Sequence, residues 1–312
     1  MNATANDPGD APAQSALAHR RPSPRRRFAR ILAVLLCLAI GAALIEGNIR
    51  WPLGAAGGES LNGPPAPGKT GNRIRLGTFN IHGGRDPNDR PDLPQVVHCV
   101  AGCDLLALNE IHGGSLFSRT DQAELIARAL GQPWLFAATE RRWWRDDFGN
   151  AIVTSLPVRH WQRFPISPAG ARSNRNLLLS RIDFAGASIN VLMTHLGRQG
   201  DNALELRTVI ELFKSLSEPA ILMGDLNKPP DDPQIKALIE DPAIVDAVGR
   251  SPQAGKGHID YILLRGMRYV DSGMIDDGTS DHPFYWADVE VPPRNASSQA
   301  SQTQPSQSGG PQ

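Results

Sequence analysis

The chain has 312 residues, 40% of them hydrophobic and 21% charged, with 32 Lys+Arg matched by 32 Asp+Glu. That length suits one large α/β domain or two small ones, and a formal net charge of zero gives no overall basic excess to hold polyanions nonspecifically. Its three cysteines argue against a cysteine metal centre, since only His98 lies close to the pair Cys99 and Cys103 and no second ligand pair is evident.

The charge is unevenly placed. Residues 1–50 carry seven Arg against Asp7, Asp10 and Glu46, a net of +4, while residues 72–292 carry 23 Lys+Arg against 28 Asp+Glu, a net of −5. Arg20, Arg21, Arg25, Arg26, Arg27 and Arg30 precede an uncharged apolar run from Ile31 to Ile45. The run is shorter than the ~20 residues of a full membrane span and longer than many signal-peptide cores. An uncleaved signal-anchor over 31–48 and a cleaved signal both fit. Either way the Arg excess at 1–30 keeps the N-terminus in the cytoplasm and sends the rest outward. Residues 49–72, rich in Gly and Pro, read as a flexible linker. Residues 292–312, rich in Ser, Gln and Gly, read as a disordered tail.

Between them, residues 73–291 alternate strand and helix patterns. Ile74, Leu76 and Thr78 alternate with their neighbours, the period of a strand that ends at Asn80. Leu93–Val100 reads as a short helix with Pro94 in its first turn. The continuous apolar run Leu105–Leu108 suits a strand covered on both faces and ends at Asn109-Glu110. Asp121 and Glu124 form a capping box for a helix that stops at Gly131. A strand at Ala151–Val153 follows Asn150. Leu177–Phe184 and Ser188–Thr194 make a hairpin that ends at His195. Asn202–Leu216 carries a helical apolar stripe, and Ala220–Met223 is a strand leading to Asp225 and Asn227. A short helix starts at Pro233. Strands at Ile259–Leu264, Met267–Met274 and Phe284–Val291 complete the set, with Asp260 at the start of one and Asp281-His282 just before the last. Cys99 and Cys103 read as small buried thiols, with a disulfide left open.

Asn80, Glu110, His195, Asp225, Asn227, Asp260, Asp281 and His282 thus all stand at or near strand ends. Gathered on one edge of a sheet, they form an inventory for a hard metal ion and a general base. The ordered series Thr78-Phe79-Asn80, Leu108-Asn109-Glu110, Thr194-His195-Leu196, Gly224-Asp225-Leu226-Asn227, His258-Ile259-Asp260-Tyr261 and Ser280-Asp281-His282 resembles the endonuclease/exonuclease/phosphatase superfamily of metal-dependent phosphodiesterases. The resemblance covers roughly residues 73–291. It implies a four-layered α/β sandwich of two packed mixed sheets.

The resemblance also implies roles. Glu110, with Asn80 and Asp281, would bind Mg²⁺, with Mn²⁺ as the alternative. Asp260 and His282 would form a dyad, and Asp225 and Asn227 would align water, their side chains pointing the same way if the strand continues. His195 would touch a phosphate oxygen or protonate the product. Asn80 would contact substrate; Asn150 reads either as a substrate-binding residue hydrogen-bonded to His195 or as a turn residue. Either His282 or Asp225 could be the general base. Each residue also has a plainer reading: Asn80 as an Asx-turn, Asp225 and Asn227 as a turn before Pro229, His195 as a structural strand-end histidine. His82, His112 and His258 read as solvent-facing or supporting. Arg141–Arg145, with Trp143 and Trp144, reads as a packing loop or as one that stacks bases or grips a lipid headgroup.

The expected substrate is a phosphodiester, nucleic acid before phospholipid, and the expected membrane contact runs through 31–48. No protein partner follows from the sequence. A non-catalytic binding module on the same fold is the competing class. A serine hydrolase is disfavoured, because the chain has no G-x-S-x-G elbow.

Overall fold

A computed structural model describes residues 24–116, 118–142, 145–168, 171, 173–198, 202–255 and 257–292. Most of the Arg-rich start, the tail beyond Pro292, and Trp143 and Trp144 lie outside the described residues. The chain divides into two units, 1–46 and 47–312.

Among its described residues the first unit holds one helix, α1 (Pro24–Glu46), with no buried residue and a mean hydropathy of 2.6 over its most apolar 18 residues. It is long and apolar enough to cross a membrane. It begins well before the expected 31–48 segment and stops two residues short of its end. Arginine is a good helix former, so the helix extends through Arg25–Arg27 and Arg30, where hydrophobicity alone would have begun the segment later.

The second unit contains β1 (Trp51–Pro52), β2 (Ala56–Gly58), β3 (Arg73–Asn80), α2 (Leu93–Val100), β4 (Leu105–His112), α3 (Gln122–Leu130), β5 (Trp134–Arg141), β6 (Phe148–Thr154) and β7 (Val158–Pro165). There follow β8 (Asn176–Phe184), β9 (Ala187–His195), α4 (Asn202–Ser215), β10 (Ala220–Asp225), α5 (Pro233–Ile239), β11 (Ile244–Asp246), β12 (Asp260–Arg265), β13 (Arg268–Ile275) and β14 (Phe284–Glu290). One sheet has the order β1-β5-β6-β4-β3-β14-β13, the other β11-β12-β10-β9-β8-β7-β2.

Period-two alternation explains the layers. Leu105 and Ala107 of β4 meet Ile221 and Met223 of β10 in a core shared by the two sheets. Leu106 and Leu108 point the other way, onto Val96 and Val100 of α2 and Ile126 of α3. Ala220 and Leu222 likewise face Leu206, Val209 and Phe213 of α4. Both faces of these strands are covered, so their sequences read as unbroken apolar runs. The result is the expected helix–sheet–sheet–helix sandwich.

The helix ends follow local chemistry. Asp121 Oδ1 accepts from the Glu124 N–H at 2.6 Å, and Gly131 closes α3 in the left-handed region at φ 68°. Asp232 caps α5 ahead of Pro233. Cys99 and Cys103 are buried free thiols.

The 49–72 segment departs from a free linker. β1 pairs with β5, β2 pairs with β7, and Asn62 bridges to Trp134. Strands β5, β7 and β11 carry no strong sequence pattern. β7 in particular reads VRHWQRFP and is half exposed along its length, so its pairing comes from its neighbours rather than from an apolar face.

Two neighbouring pairs are parallel, β3 with β4 and β9 with β10. Parallel neighbours end on the same side. Asn80 therefore comes level with Asn109, next to Glu110, and Asp225 comes level with His195. The antiparallel β12 starts where β10 stops, which sets Asp260 opposite Asp225.

Candidate active site

These strand ends meet across the two sheets. The Asn80 amide Nδ2 donates to Asp225 Oδ2 at 3.1 Å and to Glu110 Oε1 at 3.2 Å. His195 Nε2 lies 3.4 Å from the same Asp225 oxygen and 3.9 Å from Glu110 Oε1. His282 Nε2 lies 3.9 Å from Asp225 Oδ2, and its Nδ1 lies 2.7 Å from Asp260 Oδ2. Asn80, His195, Asp225, Asp260 and His282 are all buried, while Glu110 is partly open.

Burial and mutual charge set the electrostatics. Burial, reinforced by the nearby Asp260 carboxylate, pushes Asp225 up to about 7, against the pull of His282 and of the Asn227 and Asn80 donors. Burial alone would lower His282, but the hydrogen bond and charge of Asp260, with Asp225 and Asp281, outweigh it and hold the imidazole at about 9. His195 lies well below the ordinary imidazole range, through burial and the positive charge of Arg175, His282 and Arg198. A proton thus has distinct preferred seats within a few ångströms, the usual requirement for acid–base work.

Backbone detail explains how the motifs achieve this. Gly224 has φ 126°, and a Cβ there would run into the Thr194 carbonyl oxygen, so only glycine lets β10 close on β9 at this point. Glu110 takes φ 58°, turning its carboxylate out of the pleat. Ser280 Oγ donates to the Asn80 carbonyl at 2.7 Å and accepts from the His282 N–H at 3.3 Å, which pins the last motif to the first.

Four expected site residues have surroundings that the sequence did not define. Asn80 Oδ1 accepts from the His82 N–H at 3.2 Å, and its NH₂ faces the Glu110 and Asp225 carboxylates. Asn150 does not touch His195 and has 1% of its surface exposed. Its Oδ1 accepts from Asn109 Nδ2 at 2.9 Å and its Nδ2 donates to Asn176 Oδ1 at 3.0 Å, so it is a structural tie. Asn227 does not point alongside Asp225. The strand ends at Asp225, Asn227 turns to φ 50°, its N–H donates to Asp225 Oδ1 and its Nδ2 donates to the Leu196 carbonyl at 2.8 Å. Asp281 stands at the rim, 4.0 Å from His82 Nδ1 and 3.9 Å from Arg198 Nη2.

The structure also adds residues. Asn109 donates to the Thr194 carbonyl and accepts from the Asp225 N–H at 3.1 Å, stapling one sheet to the other. Its place in Leu108-Asn109-Glu110 was the available signal. Arg175, just before β8, puts Nη1 3.0 Å from His195 Nδ1. A lone arginine before a strand gives no sequence signal. His258 and His112 are supporting residues, paired with Asp246 at 3.1 Å and Asp146 at 3.4 Å. Arg142 is spent on Glu140, donating to its Oε1 from both Nε and Nη2.

The centre suits a hard divalent cation. Asp260 Oδ1 and His82 Nδ1 are buried without hydrogen-bond partners. Three carboxylates, Glu110, Asp225 and Asp260, share the site, and such a set favours oxygen-seeking cations. Asp225, Asp260 and His282 also offer ligand atoms within 4.8 Å of one another. The Nδ1 of His282 is already committed to Asp260, so this trio reads as proton-handling machinery, and Glu110 is the better cation ligand.

Comparison with known proteins identifies the family and the fold. Residues 77–282 match the sequence model of the Endonuclease/Exonuclease/phosphatase family. A search of curated protein sequences finds no significant match. Among solved structures, an endonuclease/exonuclease/phosphatase from Beutenbergia cavernae superposes with a TM-score of 0.58 at 20% identity, covering 70% of this chain and 72% of that one. The mannosyl-6-phosphatase of Bacteroides thetaiotaomicron gives 0.54 at 14% identity, covering 69% and 99%. The catalytic domain of human Nocturnin with bound sulfate gives 0.54 at 16% identity, covering 71% and 94%. At these identities the structures establish the fold, and the family model establishes the kinship: this chain belongs to the endonuclease/exonuclease/phosphatase family.

Proposed function

We propose that the chain is a divalent-cation-dependent phosphodiester hydrolase. One observation carries the reading. The hydrogen-bonded Asp260–His282 pair presents Nε2 to Asp225, and Asn80 ties that same Asp225 oxygen to Glu110. Family members are generally dependent on divalent metals. Glu110 would hold the ion, Mg²⁺ before Mn²⁺, with Asp281 as a second candidate. When bound, the ion supplies Lewis-acid polarisation of a phosphoryl oxygen and stabilisation of leaving-group charge.

The protein residues do the rest. Asp260 orients the His282 ring and favours its charged form, which leaves Nε2–H to donate to a phosphoryl oxygen. Asp225, poised at about 7, takes the proton from the attacking water. Asn227 secures Asp225 through its backbone N–H, and the Asn80 amide donates to the Asp225 and Glu110 oxygens. Burial makes each of these interactions stronger than it would be in water.

A nucleic acid is the first substrate class, as the commonest use of this family. The acidic second unit and the apolar α1 favour a phospholipid as the second. One structural neighbour is a mannosyl-6-phosphatase, so a sugar phosphate belongs in the comparison. α1 would anchor the chain with its Arg-rich end in the cytoplasm and the catalytic unit outside. The test is hydrolysis by the full chain in detergent of DNA, RNA, sphingomyelin, inositol phosphates and mannose 6-phosphate. Metal-dependent cleavage of a phosphodiester supports the reading. Cleavage of the sugar phosphate alone would replace it with a phosphomonoesterase.

A further inference from the structure

We infer that Arg175 fixes the tautomer of His195 with the proton on Nε2, so that His195 serves as a hydrogen-bond donor to a phosphoryl oxygen and not as a proton shuttle. The role in catalysis rests on the hydrolytic reading above; the tautomer does not.

Arg175 Nη1 lies 3.0 Å from His195 Nδ1. A guanidinium has only donors and stays charged in proteins. Nδ1 must therefore accept. A proton on Nδ1, in either the other tautomer or the imidazolium, would set two donors against each other at that distance. The remaining tautomer carries its hydrogen on Nε2. That atom is buried, lies 3.4 Å from Asp225 Oδ2 and 3.9 Å from Glu110 Oε1, and hydrogen-bonds to neither. It is a donor aimed at the middle of the site.

The arrangement is built rather than incidental. The Arg175 N–H donates to Ser167 Oγ at 2.7 Å, and its carbonyl accepts from the Ile166 N–H at 3.1 Å. Ser167 Oγ donates to Glu205 Oε1, and the other Glu205 oxygen accepts from the Gly197 N–H, two residues after His195. Glu205 is itself buried. The same carboxylate thus holds the segment carrying Arg175 and the segment following His195. On the other side, β9 seats His195 beside Asp225 of β10.

The chemistry follows. A shuttle needs a lone pair at the nitrogen that faces the substrate, and Nε2 has none while it carries its proton. Losing that proton first would leave an imidazolate. Donating without transferring it is the open role, and a phosphoryl oxygen gaining negative charge is the acceptor such a donor stabilises.

Two measurements test the inference in the full chain in detergent. The first is ¹⁵N–¹H correlation of the histidine rings without substrate or metal, with His195 assigned by the signal lost in His195→Gln. The expected pattern is a pyrrole-type Nε2 and a pyridine-type Nδ1, with the pattern losing its bias in Arg175→Met. A protonated Nδ1 in the wild type would overturn the lock. The second is turnover of His195→Gln against His195→Ala, both checked for folding by circular dichroism. The glutamine amide can place an N–H near the Nε2 position but cannot relay a proton. It should retain roughly tenfold more kcat than alanine. Equal losses in both would overturn the donor role. Because the tautomer is read without substrate, inactivity on every phosphodiester would count against the hydrolytic reading and leave the lock to be judged by its own spectrum.

Discussion

His282 Nδ1 lies 2.7 Å from Asp260 Oδ2, and the contact joins the two sheets. Asp260 opens β12 in one sheet, and His282 stands two residues before β14 in the other. Each residue is useful only where the sandwich brings them together.

The two should therefore act as a unit. Without its carboxylate the imidazole loses its fixed orientation and its raised basicity. Asp260→Asn and His282→Ala should each cut kcat severely, and the double variant should be little worse than the worse single. Additive losses in log kcat, with folding intact by circular dichroism, would show two independent roles.

The same contact predicts a pH dependence of stability. Folding raises the His282 imidazole to about 9, from about 6.5 in an unfolded chain. The folded state therefore favours the protonated ring. Its stabilisation is fully present below about 6.5 and is lost as pH rises through about 9. In EDTA, the wild type should exceed His282→Gln in Tm by more near pH 6 than near pH 10. A gap that widens with pH would reverse the assigned sign.

Asn109 should matter for stability rather than for chemistry. Its side chain satisfies the Asp225 N–H, the Thr194 carbonyl and Asn150 Oδ1, all buried. Asn109→Ala orphans these groups, and each costs roughly 1–3 kcal/mol, so a total on the order of 3 kcal/mol is expected. Urea unfolding would measure it. A change under about 0.5 kcal/mol would mean that the staple is not needed.

The positions legible in sequence were those where one residue type answers one local demand. Leu93–Val100 reads as a short helix with Pro94 in its first turn, and the structure has α2 over those residues. Glu110, Asp225, Asp260 and His282 stood out because a strand end must either face water or build a site. What could not be read was orientation after the strand stops. The partners of Asn80, Asn150 and Asn227 depend on turns at His82 and Asn227, with φ of 49° and 50°, and on a neighbouring strand far away in the chain. Arg175 was invisible for the same reason, since its meaning comes from the opposite strand of a hairpin. Edge strands β1 and β2, and β7 between β2 and β8, carry no clear alternating pattern and are defined by their partners.

The N-terminal unit gives its own prediction. An export-dependent phosphatase reporter fused after residue 292 should be active, because six arginines precede the apolar run. An inactive export reporter with an active cytoplasmic reporter at the same place would reverse the topology.

Turnover of the full chain on the substrate panel, in Mg²⁺ and in EDTA, for wild type and Glu110→Gln, tests the central claim most directly. The account predicts cleavage of a phosphodiester with Mg²⁺, loss of cleavage in EDTA, and a fall of roughly 10²-fold in the Glu110→Gln variant with its fold intact. Undiminished cleavage in EDTA, or full activity of Glu110→Gln, would contradict it.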